Sequence, residues 1–139
     1  MLLTQTFTFD AIHAGAGEIF MPAVELSVLA SYEGVQIHGE PDLIVELIDL
    51  YHEDAGRRLA VMRESLAKRN WQSLTREAHG LRGSSSNLGA HQLALICSEI
   101  ERIGSDDLSS NSEALLDRLE LELELALDIL FAERQRRSQ

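Results

Sequence analysis

The sequence predicts an all-α protein that folds as an antiparallel up-and-down four-helix bundle with a short accessory N-terminal helix. Hydrophobic residues make up 45% of the 139 residues and aromatic residues only 5%, a balance that suits packed helices better than a sheet. Apolar residues recur at three- and four-residue intervals in four long segments with short connections, which is typical of an intramolecular bundle. A heptad-like seam in the last segment leaves a coiled-coil dimer as the alternative.

The chain is predicted to begin with a flexible tail or linker over residues 1–22, ahead of a helical bundle domain over residues 23–137. The stretch from Thr4 to Phe9 alternates polar and apolar residues like a short strand, but a tail is favoured over a second fold. A short helix is predicted from about Ala23 to Ser31. Its inner side would carry Val24, Val28 and Leu29.

The second helix has the clearest start in the chain. Pro41 suits the first helical position, and the acidic residues Asp42 and Glu46 would lie near the positive end of the helix dipole. The helix is predicted to continue to about Arg69. Its inner stripe is predicted to comprise seven residues: Leu43, Leu47, Tyr51, Ala55, Leu59, Met62 and Leu66.

Three further helices follow. The third is predicted from about Trp71 to Leu88, with Gly89 as a C-cap or turn residue. The fourth is predicted from about Ala90 to Ile103 and is expected to end at Gly104, before a polar loop over residues 105–111. The last helix is predicted from about Ser112 to Gln135, with an inner seam of Leu116, Leu119, Leu123, Ala126 and Leu130.

Charge and cysteine content restrict the partners and the cellular compartment that we expect. The net charge of −11 would repel a phosphate backbone, so nucleic acid is not an expected partner. No apolar run approaches the roughly 18 residues of a membrane span, and no secretory signal is visible. The single cysteine, Cys97, cannot form an internal disulfide and shares the apolar phase of its helix. We therefore expect a soluble, cytoplasmic domain.

His79 is the most informative residue of the chain. Helical phase places it about 120° from the centre of the buried stripe of the third helix, so an exposed imidazole is predicted. Such an imidazole is partly neutral at cellular pH, and its free ring nitrogen is a nucleophile that can carry a phosphoryl group. Thr75, Arg82, Gly83 and Ser86 fall within about 60° of His79 and make this strip polar and uncrowded.

The glycines of this segment favour a functional interpretation over a purely structural one. Gly80 and Gly83 each cost roughly 1 kcal/mol relative to alanine inside a helix, and three serines follow them. A helix with only a structural role has no obvious need for such a stretch. Gly83 is expected to keep the approach to His79 open, while Arg82 places a cation beside the imidazole.

The segment from Ala78 to Ala90, AHGLRGSSSNLGA, resembles the signature of the histidine-containing phosphotransfer (HPt) domain. The resemblance implies a four-helix bundle that acts as a phosphorelay intermediate. It accepts a phosphoryl group on Nε2 of His79 from a receiver-domain aspartate and passes it to another receiver. Arg82, where the family more often has lysine, would orient the phosphoryl group, and Thr75, Gly83 and Ser86 would face the partner.

The same resemblance implies no cofactor in this chain, with Mg²⁺ held by the receiver domain. The expected partners are response-regulator receiver domains and a hybrid sensor histidine kinase, with the protein itself a monomer. The sequence contains no phosphate-binding loop, so the chain is predicted to receive a phosphoryl group without kinase activity of its own. His52 is followed by two acidic residues, but no helical pair of metal ligands is present, and no metal is expected.

Three alternatives remain at this stage. The bundle could bind a receiver or kinase without carrying phosphate, or it could be a fragment of a hybrid kinase. A metal- or cofactor-binding four-helix bundle is the third. Trapping of phosphohistidine would test the first alternative. The flanking gene sequence would test the second, and metal analysis of the purified protein would test the third.

Overall fold

Five α-helices account for most of the residues that the computed structural model describes, which are 21–103 and 110–138. They are α1, Leu26–Ala30; α2, Leu43–Ala67; α3, Trp71–Asn87; α4, His91–Ile103; and α5, Ser110–Arg137. A 3-10 helix, Ser31–Val35, continues α1. The predicted tail up to residue 20, Gly104, and residues 105–109 of the predicted loop lie outside the described residues.

The four long helices form a closed ring in which α3 packs against α2 and α4, and α5 packs against the same two helices. Connections of three residues on each side of α3 make it antiparallel to both of its sequence neighbours. This arrangement confirms the predicted bundle. The predicted seam of α5 faces the interior, where Leu116, Leu119, Ala126 and Leu130 are fully buried, so the chain fills this seam itself.

The start of α2 differs from the prediction. Asp42 is the N-cap, and its carboxylate accepts hydrogen bonds from the backbone N–H groups of Ile44 at 2.9 Å and Val45 at 3.3 Å. Pro41 therefore precedes the cap and is not the first helical residue. A carboxylate at the N-cap satisfies free N–H groups of the first turn, which Pro41 cannot do.

The inner stripe of α2 is also rotated in its first two turns. Ile44 and Ile48 are buried in the core, whereas Leu43 and Leu47, which the prediction placed there, are only half-buried. Each turn offers two adjacent apolar residues, and the apolar pattern alone does not decide which of the two faces the interior. From Tyr51 onwards, the stripe follows the predicted phase, although Leu59 and Leu66 are also only half-buried.

Gly89 occupies the turn between α3 and α4, as predicted. Its φ of +87° is a left-handed conformation that favours glycine. A Cβ atom here would also lie 2.5 Å from the carbonyl oxygen of Glu25. The Glu25 N–H donates to the Gly89 carbonyl at 2.8 Å, so the turn anchors the segment that leads into α1. Helix α1 is shorter than predicted because Glu25 is still extended, so the helix begins at Leu26, and because the chain continues as the 3-10 helix from Ser31.

Candidate functional site

Helix α3 presents a buried face and an exposed face, and its start is fixed locally. The Asn70 side chain caps it by accepting a hydrogen bond from the Ser73 N–H at 3.1 Å. Leu74, Ala78 and Leu81 face the core. On the opposite face, the side chain of His79 is 67% exposed, in agreement with the helical phase predicted from the sequence.

Two charged groups meet one nitrogen of the imidazole. Nδ1 of His79 lies 3.0 Å from Oε1 of Glu101 on α4 and 3.0 Å from Nη2 of Arg82. Nε of Arg82 lies 2.7 Å from the other carboxylate oxygen of Glu101, an ion pair without hydrogen-bond alignment. The carboxylate of Glu101 thus connects α4 to α3. Its side chain is only 19% exposed, so this contact is largely shielded from water.

The two contacts at Nδ1 require different tautomers of His79. When Nδ1 carries the proton, it donates to Glu101, and Nε2 keeps its lone pair. When Nδ1 is unprotonated, it accepts from Arg82, and the proton resides on Nε2. Only the state bonded to Glu101 leaves Nε2 nucleophilic. The carboxylate and the nearby guanidinium therefore act on the same tautomeric equilibrium in opposite directions.

An open groove lies beside the imidazole. Nε2 of His79 has no hydrogen-bond partner among the described residues. The groove has a volume of about 600 Å³ and is lined by Trp71, Gln72, Thr75, Arg76, His79 and Glu101. The imidazole is therefore accessible from this groove.

The remaining predicted residues of the strip are distributed around this histidine. Thr75 is half-buried and lines the groove, while Ser86 is exposed two turns further along α3. Gly83 is exposed, and a Cβ atom added to it would meet no atom within 4 Å. The surface beside His79 is thus open at Gly83, as the sequence predicted.

Comparison with known proteins agrees with this geometry. The sequence matches the family model described as the Hpt domain over residues 46–130. The chain belongs to the Hpt domain family. This membership gives it a phosphotransfer role in two-component signalling.

Solved structures show the same fold. The histidine-containing phosphotransfer protein B (HptB) from Pseudomonas aeruginosa PAO1 is 31% identical, with a TM-score of 0.75 over 83% of this chain and 96% of that protein. The histidine-containing phosphotransfer protein ZmHP2 from maize is 18% identical, with a TM-score of 0.71 over 97% of this chain and 98% of that protein. A search of the curated proteins found no match.

Gly80 has a different role in this Hpt domain from the one that the sequence suggested. A Cβ atom at Gly80 would lie 2.5 Å from Cζ of Arg58, whose guanidinium crosses directly over the glycine. Arg58 reaches from α2 to Glu77 on α3 at 2.9 Å, and it also binds Asp54 on its own helix at 2.9 Å. Gly80 therefore makes room for an ion pair between helices, which is a packing role, and only Gly83 leaves open surface.

A buried hydrogen bond joins α2 to the inner face of α3 in this Hpt domain. The hydroxyls of Tyr51 on α2 and Ser85 on α3 lie 2.8 Å apart, with both residues buried. Burial raises the pKa of the Tyr51 hydroxyl above its usual range. Cys97 is also buried, as predicted, and burial raises the pKa of its thiol to about 12. Both groups are therefore neutral at cellular pH.

Groups of ionisable residues elsewhere in the described part of the chain do not form a metal centre. Within the ranges 21–103 and 110–138, no cluster of three His, Cys, Asp or Glu side chains could hold a metal ion. The ring of His52 packs edge-on against Phe131 of α5, with 4.9 Å between the ring centroids. In the same ranges, no helix is long and apolar enough to cross a membrane.

Proposed function

We propose that this Hpt domain is a phosphorelay intermediate that carries the phosphoryl group on Nε2 of His79. The observation that supports this most directly is the orientation of the ring. Glu101 lies 3.0 Å from Nδ1, and Nε2 of this exposed ring has no hydrogen-bond partner among the described residues. A nucleophile needs an accessible lone pair, and His79 offers one on Nε2 when its Nδ1–H group donates to Glu101.

The transfer consists of two displacements at phosphorus. In the first, Nε2 attacks the phosphorus of an aspartyl phosphate on a donor receiver domain. An Nε2–P bond forms, and the P–O bond to the aspartate carboxylate breaks. In the second, the aspartate of an acceptor receiver attacks the phosphorus, and the Nε2–P bond breaks, returning the lone pair to the ring.

Glu101 assists this chemistry electrostatically. As Nε2 attacks, positive charge develops on the imidazole ring and is shared with the Nδ1–H group. A carboxylate 3.0 Å from Nδ1 stabilises that charge, and its low exposure strengthens the interaction. Arg82 keeps Glu101 in place through the 2.7 Å contact and is itself the proposed orienting cation for the phosphoryl group.

The partners follow from the same chemistry. The sequence has no phosphate-binding loop, and we propose that a hybrid sensor histidine kinase supplies the phosphoryl group through its receiver domain. A response-regulator receiver takes it up, and Mg²⁺ is bound in the receiver. Thr75, Gly83 and Ser86 would face these receivers. We propose that the domain acts as a cytoplasmic monomer, without kinase activity of its own.

Transfer from a phosphorylated receiver domain tests this function. Radiolabelled donor should charge the wild-type protein with phosphate that is acid-labile and stable in alkali. His79→Gln should remain helical by circular dichroism and take up no label, whereas His52→Gln, an exposed histidine on α2, should be charged normally. Label on His79→Gln, or an uncharged wild type that still binds the receiver, would contradict the proposal and favour a docking module.

A further inference from the structure

Most of the lysine and arginine side chains of this protein form ion pairs. Of its twelve lysine and arginine residues, nine lie within ion-pair distance of a carboxylate of the described residues. The other three are Arg69, Arg76 and Arg102, which have no such partner there. Arg76 alone of these lines the groove beside His79.

The position of Arg76 relative to His79 follows from helix geometry. Residues three apart on a helix are surface neighbours, and helical side chains lean towards the N-terminus. The imidazole of His79 therefore lies over the turn that contains Thr75 and Arg76. Its Nδ1 is directed to Glu101 and Arg82, so Nε2 lies on the side of the ring away from both.

This placement separates the two arginines near the site. Arg82 is paired with Glu101 and lies 3.0 Å from Nδ1, so its guanidinium is already engaged at that nitrogen. Arg76 is exposed and lines the same open groove as His79. The nearest acidic residue in sequence, Glu77, is held by Arg58 at 2.9 Å, so it does not draw Arg76 away.

We propose that Arg76 is a second cation, in addition to Arg82, that contacts the phosphoryl group once Nε2 of His79 carries it. This inference rests on the proposed function, because it requires a phosphohistidine at position 79. A planar guanidinium can donate two hydrogen bonds to the oxygens of a phosphoryl group. Arg76 would then stabilise the dianion during its residence on the domain, while Glu101 sets the orientation of the ring and Arg82 orients the phosphoryl group.

The test uses a phosphohistidine formed without any protein partner. Phosphoramidate is a small donor: Nε2 attacks its phosphorus, the Nε2–P bond forms, the P–N bond of the reagent breaks, and ammonia leaves. The second protonation of the phosphoryl group is then followed by ³¹P NMR as a function of pH. A nearby cation favours the dianion, so its removal should raise the titration midpoint.

Arg76→Ala should raise this midpoint by about 0.2–0.7 pH units, the range expected for an exposed ionic contact. Arg76→Lys should retain most of the wild-type value. Arg102→Ala removes another exposed arginine without an ion-pair partner among the described residues, but one that does not line the groove. It should leave the midpoint unchanged.

The outcomes distinguish this inference from the proposed function. Equal midpoints in wild type and Arg76→Ala would overturn the role of Arg76 while leaving His79 as the phosphoryl carrier. If Arg76→Ala and Arg102→Ala raise the midpoint equally, the shift reflects the net charge of the protein and not a contact with Arg76. That result would also overturn the role of Arg76. Absence of phosphate on His79 after phosphoramidate treatment would overturn both. Loading of His79 without transfer from any receiver would contradict the relay alone.

Discussion

Substitutions at Gly83 distinguish a role in partner access from a role in internal packing more clearly than substitutions at any other position in the site. It lies inside α3 and is exposed, with no atom within 4 Å of an added Cβ and without a left-handed φ. Gly83→Ala should therefore increase the free energy of unfolding by up to about 1 kcal/mol, because alanine loses less backbone entropy in a helix. For a domain of this size, the melting temperature should rise by about 3–6 °C.

A longer side chain at position 83 should slow phosphotransfer without lowering the free energy of unfolding. Glutamine is a good helix former, so Gly83→Gln should retain much of the stabilisation. Its side chain would lean towards the preceding turn of α3, where His79 lies four residues away. It would then occupy the surface over which a receiver domain approaches, and transfer from a phosphorylated receiver should slow by about tenfold or more.

Three measurements on Gly83→Gln are needed together. Urea unfolding gives stability, receiver-dependent labelling gives transfer, and phosphoramidate labelling shows that the imidazole itself is intact. Gly56→Gln is the matched control, since Gly56 is an exposed glycine inside α2 that also has nothing within 4 Å of an added Cβ. It lies one turn from His52, which contacts α5, and it should stabilise the domain without affecting transfer.

Two results would refute this reasoning. If Gly83→Gln unfolds at a lower urea concentration than wild type, Gly83 serves internal packing, and the open space beside it has another explanation. If it is stable and still accepts phosphate from the receiver at the wild-type rate, receivers do not approach His79 across Gly83. In that case, the partner would have to reach the imidazole from the groove side alone.

Three further substitutions test the supporting contacts. Gly80→Ala should stabilise the domain less than Gly83→Ala in urea unfolding, because it displaces the Arg58 guanidinium; equal stabilisation would contradict this packing role. Tyr51→Phe should cost about 1–3 kcal/mol in the same assay by leaving the buried Ser85 hydroxyl without its partner, and a wild-type unfolding midpoint would count against it. Glu101→Gln should slow receiver-dependent labelling about tenfold through loss of the carboxylate charge, whereas wild-type kinetics would show that this charge does not assist the imidazole.

Features that depend on neighbours along one helix could be predicted from the sequence. The exposure of His79, the open surface at Gly83 and the buried seam of α5 all follow from a rotation of about 100° per residue. The left-handed turn at Gly89 follows from a single glycine between two apolar-periodic segments. The phase of the first turns of α2 could not be predicted, because adjacent apolar residues such as Leu43 and Ile44 satisfy the same pattern in two registers.

The residues that decide the chemistry of the site come from different helices, which local periodicity does not bring together. Glu101 is 22 positions from His79, and nothing in the spacing of α4 marks it among the other acidic residues. Arg58 similarly explains Gly80 only after α2 and α3 are packed. The phosphotransfer motif therefore identifies which imidazole is exposed, whereas the packing of α3 against α4 determines which of its nitrogens is free to react.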